Sequence, residues 1–144
     1  MADMRVLPLP DQDSEHYWAA LANGRLEVQQ CRECSRWTWP ARPICSNCQS
    51  ENLAWRRVSG LGEVHSWVRT HNVYAPAFAS LVPYITVLVR LEEQDDILIP
   101  GRFLSDVEPH QGMRVRAVPE RLTDELGELN WVMDPSQPVA PASA

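Results

Sequence analysis

Cys31-Arg-Glu-Cys34 and Cys45-Ser-Asn-Cys48 use all four cysteines of the chain and are separated by ten residues. Each CxxC turn presents a pair of thiolates, and four thiolates at about 2.3 Å satisfy a closed tetrahedral metal site. Two disulfides, or four unrelated buried thiols, are the competing readings. The sequence shows no export signal, a reducing cytoplasm is the expectation, and the pairs are read as metal ligands. Zinc is expected, with iron as the alternative, because tetrahedral sulfur suits both. Iron sites of this form usually turn on a glycine after the second cysteine of each pair, where this chain has Ser35 and Gln49. That departure favours zinc. One ion consumes both pairs, leaving no thiol to cycle and no open coordination position, so the metal contributes folding energy and not catalysis.

Outward from the cysteines, Leu26 to Gln30 and Trp37 to Pro40 read as a strand pair around the first knuckle, and Trp55 to Val58 leaves the second. Upstream, residues 1 to 12 form a Pro-punctuated arm. Asp13 or Ser14 then caps a short helix that stops at Gly24, with Tyr17, Trp18 and Leu21 on one face. That face is expected to pack within the chain, or else on a partner. Trp37, Trp39 and Trp55 are expected to cover the metal, because so small a ribbon cannot build a core from aliphatics alone.

Ser59-Gly60-Leu61-Gly62 supplies turn chemistry, and the period then changes to two. Glu63 to Arg69 sets Val64, Ser66 and Val68 against His65, Trp67 and Arg69. Tyr84 to Leu91 sets Ile85, Val87, Val89 and Leu91 against Tyr84, Thr86, Leu88 and Arg90. Ile97 to Ile99, Met113 to Val118 and Leu129 to Met133 complete five strands, which suggests a small closed or partly open barrel. The acidic run Glu92-Glu93-Gln94-Asp95-Asp96 reads as a solvated hairpin turn with no metal. The expected organisation is an arm, helix and metal ribbon over 1–58, a barrel over 59–134 and a disordered tail over 135–144. Residues 70 to 83 make a long apolar connection that includes His71, Tyr74 and Phe78. This is the leading candidate for a ligand-lining or partner-contacting element, against a lid folded on its own barrel.

The net charge of −6 leaves no general basic footprint, which argues against a nucleic-acid binder. Residues 31 to 60 nevertheless carry five arginines against two acids, a local excess of +3. Arg32, Arg36, Arg42, Arg56 and Arg57 could face an anion, or be solvated ribbon residues; all thirteen basic residues are arginine, which reads as a compositional habit. No apolar run reaches the roughly 18 residues of a membrane span. There is no phosphate loop, GxSxG elbow or HExxH, and His16, His65, His71 and His110 are scattered. No active site can be assembled from these residues.

Tyr17-Trp18 through Gly24-Arg25-Leu26, Gln30-Cys31-x-x-Cys34, Pro40-x-Arg42, Cys45-x-x-Cys48, Ser59-Gly60-x-Gly62-x-Val64 and Pro83-Tyr84 together resemble a family long catalogued as a domain of unknown function. Its members join a rubredoxin-like zinc ribbon to an OB-fold and are acyl-CoA-associated partners of thiolase-superfamily enzymes. The resemblance covers roughly residues 14 to 118. It implies a mainly β chain, with an N-terminal helix and zinc ribbon followed by a five-stranded OB-fold barrel. It also implies a non-catalytic accessory subunit of a lipid-transfer-type thiolase or a retro-aldolase acting on acyl-CoA in steroid side-chain or lipid metabolism. On that basis Tyr17 and Trp18 would contact the enzyme, Arg42, Arg56 and Arg57 would meet CoA phosphates, and His71, Tyr74 and Phe78 would border the acyl channel. A single-stranded nucleic-acid binder is the alternative, since both modules serve that purpose elsewhere.

Overall fold

A computed structural model describes residues 6–136. Most of the arm and the start of the expected tail fall within it; residues 1–5 and 137–144 lie outside the described residues. Helix α1, Glu15–Ala22, is followed by strands β1 (Glu27–Cys31), β2 (Trp37–Thr38) and β3 (Leu53–Arg57). These form a three-stranded sheet in the order β2-β1-β3. Five further strands, β4 (Leu61–Thr70), β5 (Tyr84–Leu91), β6 (Leu98–Phe103), β7 (Arg114–Arg121) and β8 (Gly127–Met133), close into a barrel in the order β4-β5-β6-β8-β7. All barrel neighbours are antiparallel except β6 and β8, which pair parallel at Arg102–Asn130 and Phe103–Trp131. This is the expected mainly β, helix–ribbon–OB-fold architecture.

The barrel core follows the alternation of its strands. Val87, Val89 and Leu91 of β5 are buried beside Val64, Ile99, Phe103, Val115 and Trp131. Strand β4 departs from the alternation written above. Val64 pairs with Val89 and Ser66 with Leu88, so the register shifts between them and leaves His65 as the extra residue of a bulge. A bulge puts two residues opposite one and exchanges the faces beyond it. Trp67 and Arg69, not Ser66 and Val68, therefore share the side of Val64, opposite Val87 and Ile85. Strand β6 runs on past Ile99 through Pro100-Gly101 to Phe103.

Helix, ribbon and barrel share one hydrophobic core. Tyr17, Leu21, Leu26, Val28 and Val58 join the barrel residues in it, and Trp18, Trp37, Trp39 and Trp55 pack against it. The helix lies so close to β8 that a Cβ on Gly127 would sit 2.4 Å from the main-chain carbon of Leu21 and the main-chain nitrogen of Ala22. Only glycine admits that approach.

The acidic turn between β5 and β6 is a clasp between ribbon and barrel, and not the solvated hairpin its composition suggests. Gln94 spans the main chain of Trp37: the Trp37 N–H donates to Gln94 Oε1 at 2.9 Å, and Gln94 Nε2 donates to the Trp37 carbonyl at 3.0 Å. Around it Arg36 pairs with Asp96, the Ser59 hydroxyl donates to Glu93 at 2.8 Å, and Arg114 pairs with Glu92 at 3.2 Å. Burial pushes the Glu93 carboxyl above its usual range despite the Ser59 bond. Because the two amide bonds are partly buried, Gln94→Ala is expected to cost about 1–3 kcal/mol. A thermal melt would read the loss, and an unchanged midpoint would mean that the clasp is incidental.

Candidate metal centre and aromatic cleft

The two knuckles close with the same hydrogen bonds. The Ser35 N–H donates to the Cys31 carbonyl at 3.0 Å and the Cys31 N–H to the Arg36 carbonyl at 2.9 Å. In the second knuckle the Gln49 N–H donates to Cys45 at 3.1 Å and the Cys45 N–H to Ser50 at 2.8 Å. Such a turn needs a left-handed residue after the second cysteine, and Ser35 and Gln49 adopt φ of 65° and 64° there. Glycine is therefore not required for the turn, although a side chain in this region costs about 1 kcal/mol.

The four sulfur atoms lie within 4.8 Å of one another. Cys31 and Cys48 Sγ are 3.6 Å apart, as are Cys34 and Cys45 Sγ. None is in a disulfide. A tetrahedron with metal–sulfur bonds of about 2.3 Å has edges of about 3.8 Å, so the cluster fits a structural zinc ion. Its electrostatics also call for a cation. The Arg36 main-chain N–H lowers the Cys34 thiol to about 6, and the N–H groups of Cys48 and Asn47 lower Cys45. For Cys48 the Ser50 N–H acts downward, but desolvation and the three neighbouring sulfurs outweigh it and push the thiol up to about 12. Four thiolates cannot share this space without positive charge between them.

Trp39 and Trp55 turn to the helix. With Tyr17, Trp18, Pro40, Ala41, Pro100 and Leu129 they line an apolar cleft of about 420 Å³ where helix, ribbon and barrel meet. Tyr17 stands edge-on to Trp18 at 5.1 Å and to Trp39 at 6.2 Å. Burial raises the Tyr17 phenol well above its usual range. His16, one of the scattered histidines, is exposed, stacks on Trp55 at 4.5 Å and bonds Glu27 at 3.2 Å. Burial draws the Glu27 carboxyl upward, but Arg25 and His16 outweigh it and hold it below its usual range.

The remaining candidates are spread over the surface. Arg42 is exposed, with its N–H held by the Gln29 side chain at 2.9 Å. Arg56 and Arg57 are exposed on β3, opposite Val28 and Glu27. His71 and Tyr74 are exposed on the β4–β5 connection, Tyr74 at 76%. Phe78 ends a short 3-10 helix, Pro76–Phe78, and lies half-buried 6.2 Å from Tyr84. The structure gathers Tyr17 and Trp18 into the cleft and brings none of the other contact candidates together with them.

The described residues thus combine a four-cysteine ribbon fit for zinc, a capping helix and a closed OB barrel. The ChsH2 rubredoxin-like zinc ribbon domain matches residues 18–54, and the ChsH2 C-terminal OB-fold domain matches residues 55–120. The chain belongs to this ChsH2-like DUF35 family. Among solved structures, a chain of "Ltp2-ChsH2(DUF35) aldolase" is similar at a TM-score of 0.77 and 25% identity, covering 88% of this chain and 98% of that one. A DUF35-family protein of unknown function from Sulfolobus solfataricus is similar in fold, with a TM-score of 0.58, 16% identity, and 85% and 86% of the two chains covered. A "Probable enoyl-CoA hydratase alpha subunit" of Thermomonospora curvata is 31% identical over 90 residues, 62% of this chain and 28% of that protein. A "DUF35 domain-containing scaffold protein" of Pyrococcus furiosus is 36% identical over 89 residues, 60% of this chain and 62% of that protein. The chain therefore spans less than two thirds of either curated relative. No helix of the described residues is long and apolar enough to cross a membrane.

Proposed function

We propose that this chain is a non-catalytic accessory subunit of a thiolase-superfamily enzyme acting on acyl-CoA in the cytoplasm, of the lipid-transfer-type thiolase or retro-aldolase kind, in steroid side-chain or lipid metabolism. The observation that carries the reading is the likeness to the ChsH2 chain of an aldolase complex, which extends over 98% of that chain. The scaffold name of the archaeal relative and the CoA-linked name of the actinobacterial one agree with it. The site chemistry agrees as well: a closed thiolate cluster has no position for substrate.

In this reading zinc, held by Cys31, Cys34, Cys45 and Cys48, fixes the ribbon. The ribbon then holds Trp39 and Trp55 beside Trp18, over the buried Tyr17, as part of a docking face. Arg42, Arg56 and Arg57 supply positive charge for CoA phosphates, and the connection with His71, Tyr74 and Phe78 borders the acyl channel of the partner. Replacing Arg56 and Arg57 together by alanine is expected to weaken acyl-CoA binding by the complex about tenfold, read by titration calorimetry. Unchanged affinity would remove the arginines from the CoA site and leave the subunit assignment standing.

A further inference from the structure

The closure of the barrel is uneven along β4. Its ladder to β7 covers only Leu61 to Glu63, opposite Arg116 to Arg114. One more exchange follows, in which the Val64 N–H donates to the Met113 carbonyl and the Gly112 N–H to the Val64 carbonyl, each at 2.8 Å. Past the bulge, Ser66 to Thr70 pairs on one side with Leu88 to Tyr84 of β5 and has no strand on the other among the described residues. Ser66, Trp67, Val68 and Arg69 are all exposed. Every second residue of such a strand points its N–H and C=O away from its neighbour, so this stretch presents an open row of main-chain donors and acceptors.

Exposed apolar side chains stand on and beside the edge. Trp67 and Val68 are 41% and 58% exposed, and the exposed Leu81, Leu104 and Val107 line a cleft with Arg69, together with Arg102, Asp106 and Glu108. The charge on the strand is already used, since Arg69 is paired with Glu108. An open edge that carries exposed apolar side chains is an aggregation hazard unless something covers it.

We infer that the Ser66–Thr70 edge of β4 receives an extended, neutral segment of the partner enzyme with apolar residues at alternate positions, added to the barrel as a strand. The inference rests on the accessory-subunit reading and names where the partner is gripped. Five residues of strand span about 17 Å. A second copy paired through so short an edge would bury far less than the roughly 1,200 Å² of a stable association. An enzyme segment needs no such area from the edge alone, because it adds to a wider docking face. Main-chain pairing would supply affinity, with Trp67 and Val68 on opposite faces reading alternate side chains.

The test uses the full-length chain and the thiolase-superfamily enzyme recovered with it and identified by mass spectrometry. Hydrogen exchange of the amides of residues 66–70 is expected to slow at least 100-fold in the complex. Val68→Lys, a charge at an exposed edge position, is expected to weaken the complex at least tenfold while leaving the thermal midpoint of the free chain unchanged. A complex that forms with exchange at 66–70 unaltered overturns this inference and leaves the accessory-subunit reading intact. Protection that instead rises with the concentration of the chain alone, with a doubled mass, assigns the edge to a second copy and overturns it. Recovery of no thiolase-superfamily enzyme removes the reading on which it rests.

Discussion

Removing the metal is expected to dismantle the ribbon. A strong chelator, or Cys45→Ser, should abolish the near-ultraviolet signal of Trp37, Trp39 and Trp55 and lower the thermal midpoint by more than about 15 °C, because structural zinc is worth about 10–16 kcal/mol in small ribbons. The reason lies in how little else holds the two knuckles. Strand β2 is two residues long, and Cys45 and Cys31 are the buried side chains of their knuckles. Without the ion, Cys34, Cys45 and Cys48 crowd sulfurs whose thiolates repel. The barrel, closed by its own ladders, should keep most of its strand signal. Acid should act in the same direction as the chelator. Ligand thiolates must be deprotonated to bind, so stability contributed by the ion is present at neutral pH and is lost as pH falls and protons displace it. A chelated protein with an unchanged melt and tryptophan signal would mean that the four cysteines are not a structural metal site.

Gly127→Val should be the most damaging single change outside the cysteines. The new side chain would enter the main chain of Leu21 and Ala22, which cannot yield as a flexible side chain would. The helix must lift from β8, taking Tyr17 and Leu21 out of the shared core and opening the aromatic cleft. Overpacking of this kind costs about 1–3 kcal/mol, and burial lost by Tyr17 and Leu21 adds to it. A drop of about 10 °C in midpoint, with changed tryptophan fluorescence from Trp18, is the expected result. A neutral substitution would show that α1 sits on the barrel loosely.

The elements legible in the sequence were those that carry their own period or spacing. The two CxxC pairs announce a metal ribbon, because no other common arrangement of four thiols needs that spacing. Tyr84 to Leu91 announces a half-buried strand, and Val87, Val89 and Leu91 are buried as its alternation requires. What could not be read depends on contacts between distant segments. Gln94 looks like one polar residue in an acidic turn; only folding places it on Trp37, 57 residues away. Gly127 looks like a turn glycine, and its role comes from a helix more than a hundred residues earlier in the chain. The bulge at His65 leaves no mark on the alternation, since Val64-His65-Ser66-Trp67-Val68 admits either register. Trp39 and Trp55 could be assigned to a ribbon core from composition, but whether they face metal or helix is decided by packing. Of the contact residues, only Tyr17 and Trp18 were placed together by helical spacing. The others lie on strands and loops whose relation the sequence does not contain.

The subunit assignment is tested most directly by activity of separated and recombined components. The isolated chain, the thiolase-superfamily enzyme recovered with it, and the reconstituted pair should each be assayed with an acyl-CoA substrate. The expected result is no turnover by the chain alone, weak or unstable activity of the enzyme alone, and full activity of the pair in a complex of fixed stoichiometry. Turnover by the isolated chain, or an enzyme whose activity and stability are indifferent to it, would contradict the assignment.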